Sequence, residues 1–183
     1  MSFPRPEPRK LIHRRDIQAL GYEREDGLWD IDATMTDAKT YSFDNVDRGG
    51  IRAGEPIHGM RVRVTVTAEL EIKAIVVAVE ASPFHYCNRI EPAYDLLVGQ
   101  RIGPGWHQAV RSALGKTKGC THLTDLLLGP IPACAFQTVS AARRGREKPK
   151  DEGAKPALLE TCHALAATSP VVQRHWPEFY TGS

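Results

Sequence analysis

The chain has 183 residues, 42% of them hydrophobic and 25% charged, which is ordinary for one globular domain with a substantial core. A net charge of +2 lacks the strongly basic balance of a nucleic-acid binder. The four cysteines, Cys87, Cys120, Cys134 and Cys162, form no CxxC pair and no secreted framework, so they read as reduced thiols.

Residues 1–10 read as a mobile Pro- and Arg-rich arm with no apolar run of a leader. No stretch reaches membrane-spanning length, so a cytoplasmic protein without membrane or nucleic-acid partners is expected. Residues 11–22 suggest a first strand. Asp26-Gly27 is a hairpin signal. After it, Trp29, Ile31, Ala33 and Met35 alternate with Asp30, Asp32, Thr34 and Thr36, and Asp37, Lys39 and Tyr41 continue the segment. A Gly-rich loop over 44–56 leads to a strand at His58–Ala68 and another at Glu71–Ala81. The second, richer in apolar residues, should be the more buried.

Beyond Ser82-Pro83 the pattern turns helical. Asn88 with Glu91 resembles a capping box. Trp106, Val110, Ala113 and Leu114 share one face of a second helix, closed by Gly115. A third begins at Gly119-Cys120-Thr121-His122, with Thr121 as cap, Asp125 near the positive end and Leu123, Leu126 and Leu127 inward. Gly129-Pro130-Ile131-Pro132 should break it, and Ala133–Arg143 should resume, with Phe136 and Val139 inward. Residues 143–156 read as a charged linker and 157–183 as a tail that docks through Trp176, Phe179 and Tyr180. The fold expected for residues 11–142 is α+β: an antiparallel meander of about four strands covered on one face by three or four helices.

The mouth of a helix favours anions, so Cys120 with His122 is a candidate centre, and Cys87 precedes another helix start. His58 could join them from its strand. Histidine suits proton transfer near neutrality, so His58 or His122 is the candidate base. Asp26 or Asp37 could orient it, and Arg24 or Lys39 could stabilise a developing oxyanion. Tyr22, Trp29, Phe84 and Cys120 could contact substrate. Each has a plain structural alternative: a turn ion pair for Arg24 and Asp26, packing for Cys120. A phosphate loop, a dinucleotide fingerprint and a GxSxG elbow are absent.

Tyr22-Glu-Arg24-Glu-Asp26-Gly-Leu-Trp29-Asp30-Ile, Met35-Thr-Asp37-Ala-Lys39, Gly54-Glu-Pro-Ile-His58-Gly-Met60 and Gly119-Cys-Thr-His-Leu123 resemble a bacterial domain-of-unknown-function family of small cytoplasmic proteins. The resemblance runs from about Arg14 to Thr138 and reaches Cys162-His163-Ala164-Leu165 and His175-Trp176-Pro177. It implies a role in catabolism of plant- or lignin-derived aromatic compounds, where a carbon–carbon lyase releasing formaldehyde fits. The expected function is such a lyase, acting on a small aromatic substrate without cofactor, possible homo-oligomer included. The order of strands, cysteines and helices is also similar to the iron–sulfur cluster scaffold fold. The alternative is therefore a metal- or cluster-binding protein using Cys87, Cys120 and His122. A non-catalytic interaction domain is the third reading.

Overall fold

The computed structural model describes residues 3–142, 155–156 and 158–182. Four strands form one antiparallel sheet in the order β1 (His13–Glu23), β2 (Trp29–Lys39), β3 (Pro56–Val66) and β4 (Ile72–Ala81). Around the Asp26-Gly27 turn, Arg24 N–H donates to the Leu28 carbonyl at 2.9 Å. This closure sets the register His13↔Lys39 through Glu23↔Trp29.

Alternation then decides which side chains point inward. Trp29, Ile31, Ala33 and Met35 of β2 and Met60, Val62, Val64 and Val66 of β3 are all buried on the helix-bearing face. The other face carries polar pairs: Arg63 forks onto Asp32 at 2.6–2.7 Å, and Thr65 Oγ1 donates to Asp30 at 2.6 Å. β4 is not the more buried strand. Only Ile72 and Ile75 are buried in it, because it is a sheet edge and its remaining apolar residues are wholly or partly in water.

Three helices cover the inner face: α1 (Trp106–Leu114), α2 (Thr121–Leu128) and α3 (Pro130–Ala135). α1 buries Trp106, Val110 and Leu114, and Trp106 Nε1 donates to the Leu127 carbonyl at 2.7 Å. α2 buries Leu123, Leu126 and Leu127. Gly129 ends it, and Pro130 occupies the first turn of α3, where a missing N–H costs nothing. A π-helical turn, Phe136–Ser140, follows; Val139 is buried, but Phe136 is exposed, since the wider turn rotates it outward.

Two caps differ from the sequence expectation. Cys120, not Thr121, is the N-cap of α2, and no side chain caps it; Thr121 is already helical. Cys87–Leu97 is a 3-10 segment capped by Tyr86 without a side-chain bond. The Glu91 carboxylate is drawn away from Asn88 because it accepts the Val79 N–H at 2.8 Å.

By contacts, Met1–Gly145 and Arg146–Ser183 are two compact units. The expected linker falls mostly outside the described residues. Within the second unit, Ser169 Oγ accepts the Val172 N–H at 3.1 Å and caps α4 (Pro170–His175). Val172 is buried there, and Trp176, Phe179 and Tyr180 are half-buried.

Candidate active site

The site is built at the end of the sheet where β1 begins and β2 ends. Register shifts between Asp37 and Ala38 on β2 and between Gly59 and Met60 on β3 lie at this end. Such irregularities re-aim side chains next to functional sites. Asp37 pairs with His58 across β2 and β3, and with Arg15 across β1 and β2. All three side chains share the face on which α2 packs.

Asp37 is the hub, its side chain only 3% exposed. Arg15 forks onto it, with Nε donating to Oδ1 at 2.7 Å and Nη2 to Oδ2 at 2.8 Å. His13 Nε2 lies 3.2 Å from Oδ1 and His58 Nδ1 3.1 Å from Oδ2. His122 Nε2 reaches Oδ2 at 3.7 Å. Arg15 also lies 3.7 Å from Asp125, tying β1 to α2. Burial works to raise the Asp37 pKa, but the Arg15 hydrogen bonds and charge, with help from His58, outweigh it and hold the carboxyl at about 2.

His58 and His122 stack with ring centroids 3.8 Å apart. Burial lowers the pKa of both. Asp37 works against the shift at His58, and each imidazole's cationic surroundings add to it. Both are therefore neutral at pH 7. Since Asp37 is ionised, the His58 Nδ1 facing it must carry the proton, which leaves Nε2 as the basic nitrogen.

The start of α2 is clamped. The Cys120 N–H donates to the Tyr94 hydroxyl at 3.0 Å, and that hydroxyl donates to the Cys120 carbonyl at 3.3 Å. A Cβ on Gly119 would run into the Leu114 carbonyl, so only glycine admits this close approach. The clamp holds His122 over His58, with Cys120 Sγ 3.8 Å from His122 Nδ1.

Beside the stacked imidazoles opens a cavity of about 410 Å³. Met60, Phe84 and Ile90 give it apolar walls, and Cys87 and Cys120 add sulfur. Among the described residues, none with a carboxylate lines it. A hollow of about 500 Å³ in the 42–55 loop offers no such chemistry: its Arg48 and Glu55 satisfy each other.

Of the residues singled out from sequence, His58, His122, Asp37, Phe84 and Cys120 meet here, with Cys87 on the same cavity. Arg24 and Asp26 do not. They pair at 2.6 Å by the β1–β2 turn, with Asp30 3.4 Å from Arg24, some 25 Å along the strands at about 3.3 Å per residue. Lys39 donates to the Tyr41 hydroxyl at 2.9 Å and sits over Tyr41 and Phe43. Tyr22 is exposed near the turn, and Trp29 is buried in the core. Among the described residues, the triad whose possible metal-ligand atoms lie within 4.8 Å of one another is Asp37, His58 and His122, rather than Cys87, Cys120 and His122.

His13, Arg15 and Tyr94 were not anticipated. The first two were within reach: once Asp26-Gly27 is the turn, positions 15 and 37 lie equally far from residue 26 and must face each other. Tyr94 carries no such signal, because its role depends on how the 3-10 segment meets the start of α2.

No match was found among curated proteins or solved structures. A family model described as a protein of unknown function, DUF2889, matches residues 13–137, a span that holds the whole Asp37 cluster and its cavity. The chain belongs to the DUF2889 family.

Proposed function

We propose that the protein is a cofactor-independent lyase that breaks a carbon–carbon bond in a small aromatic compound by acid–base catalysis, releasing formaldehyde. The observation that carries this is the pair of neutral, stacked imidazoles, anchored to an ionised carboxylate and opening on an apolar cavity. His58 Nε2 takes the proton of a primary alcohol. The carbon–carbon bond breaks and formaldehyde leaves. The freed electron pair forms a carbon–carbon double bond and expels an oxygen substituent, which takes up the same proton. Protons and electrons balance without a redox partner. Asp37 fixes the tautomer and stabilises the imidazolium that forms transiently. In this reading the first turn of α2, which has no side-chain cap and whose Thr121 and His122 line the cavity, supplies the N–H groups and dipole that stabilise the developing negative charge. Arg24 and Lys39 are replaced in that role, because neither reaches the cavity.

The test is formaldehyde release from aromatic primary alcohols that carry an oxygen leaving group on the carbon next but one to the carbinol. His58→Ala should reduce it at least about 100-fold. Absence of carbon–carbon cleavage across such alcohols would overturn the reading.

The Asp37, His58 and His122 triad supports a second reading, a metal centre. Against it, the Arg15 guanidinium occupies both oxygens of Asp37. One metal ion per chain in purified protein, with turnover lost to a chelator, would favour the metal reading.

A further inference from the structure

Most cations on the sheet are matched by acids: Arg15 by Asp37, Arg61 by Glu80, Arg63 by Asp32 and Lys73 by Glu71. Arg89 is different. It lines the cavity that holds His58 and His122, and among the described residues no carboxylate lies within ion-pair distance of it. Its guanidinium carbon sits 5.2 Å from the centre of the Tyr86 ring, three residues earlier at the cap of the same 3-10 segment. The ring restrains an otherwise long, free side chain without using its donors, since a π-face attracts the cation and leaves the N–H edge open. The lining thus combines apolar walls, neutral imidazoles and one unmatched positive charge.

We infer that Arg89 is a specificity residue that binds a carboxylate on the aromatic substrate, so that the natural compound is an aromatic acid held between Arg89 and the imidazole pair. The inference rests on the reading of this cavity as an aromatic site. A planar guanidinium presents a fork of donors that matches a carboxylate in two parallel hydrogen bonds. A carboxylate is ionised at neutral pH, whereas a phenol, with a pKa near about 10, is not. Among the described residues lining the cavity no acid competes for Arg89, and the charge of Asp37 behind the imidazoles is taken up by the Arg15 fork.

The experiment is equilibrium binding by calorimetry, at low and at physiological salt, of 4-hydroxycinnamate and its primary amide. The two share a ring and differ in charge. The intact protein should bind the acid about tenfold more tightly than the amide, a preference that shrinks with salt because the contact is exposed. Arg89→Ala should abolish the preference and leave amide affinity unchanged. Arg89→Lys should restore part of it, as a point charge without the fork. Circular dichroism checks that the variants are folded, as expected for an exposed side chain. Equal affinity for acid and amide, a preference that survives Arg89→Ala, or failure of both probes to bind at millimolar concentration would each overturn the inference. Because binding is read and not turnover, a clear Arg89-dependent preference in a protein that cleaves no aromatic alcohol would sink the lyase reading alone.

Discussion

Asp37 shows how one carboxylate can organise a site and charge the fold for it. Its pKa, held at about 2 against the ordinary 3.8, means the folded state binds the proton more weakly than the unfolded chain. The resulting stability, about 2 kcal/mol at most, is fully present above pH 4 and is lost as pH falls toward 2. Asp37→Asn should remove it at neutral pH, visible as a lower melting temperature, and should cost turnover at least about 100-fold. A variant carrying Asp37→Asn that is as stable as the parent would mean that Arg15 finds equal hydrogen bonding elsewhere. The histidines titrate in a separate window. Burial lowers both below 6.5, so the unfolded chain takes up their protons first, and stability falls as pH drops below 6.5. Turnover should follow the same direction: flat near neutrality, with an acid limb starting below the ordinary histidine value. An acid limb above pH 6.5 would contradict burial as the dominant influence. His85 and His107 are exposed, and their replacement should leave this limb unmoved.

Among the elements, the hairpin was the most legible, because local chemistry decides it, whereas the start of α2 was located without its cap, which is Cys120 and not Thr121. Asp26-Gly27 set the turn, and the alternation from Trp29 to Met35 set the inward face. The burial of β4 misled because composition records how apolar a strand is, not whether anything covers it. Gly21 shows another hidden constraint. It lies on β1 against Thr138 of the π-helical turn, and a Cβ there would collide with the threonine side chain. Thr138 cannot swing away cheaply, since its Oγ1 donates to the Cys134 carbonyl at 2.8 Å. Gly21→Ala should therefore destabilise by about 1–3 kcal/mol in denaturant titration. Adding Thr138→Ala should recover only part of the loss, because the Thr138 Cβ itself would stand 2.7 Å from the new methyl. A Gly21→Ala protein of unchanged midpoint would show that β1 and the turn separate freely.

For the whole molecule, the continuous core runs from Trp29 to Val139, inside the compact unit Met1–Gly145. A chain ending at Gly145 should therefore unfold in one cooperative transition and keep the near-ultraviolet dichroism of its buried aromatics. Aggregation or a molten transition would make the second unit part of the fold's stability, as the sequence expectation of a docked tail requires. No helix among the described residues is long and apolar enough to cross a membrane. The placement of the charged groups follows a broader logic: outer-face acids are met by outer-face arginines, and Asp37, the deeply buried acid among the described residues, is met by a fork from the edge strand.

The groups around that buried acid come from positions 13, 15, 37, 58 and 122, that is, from three strands and a helix start. During translation the first four can assemble into a hairpin-like sheet long before the fifth exists. A nascent chain stalled before α2 has therefore made most of the charges but not the imidazole stack, and only part of the roof over its own apolar sheet. The late closure that completes the imidazole pair is also the one that covers the apolar sheet, so a product cut short before it would lack the pair and be adhesive.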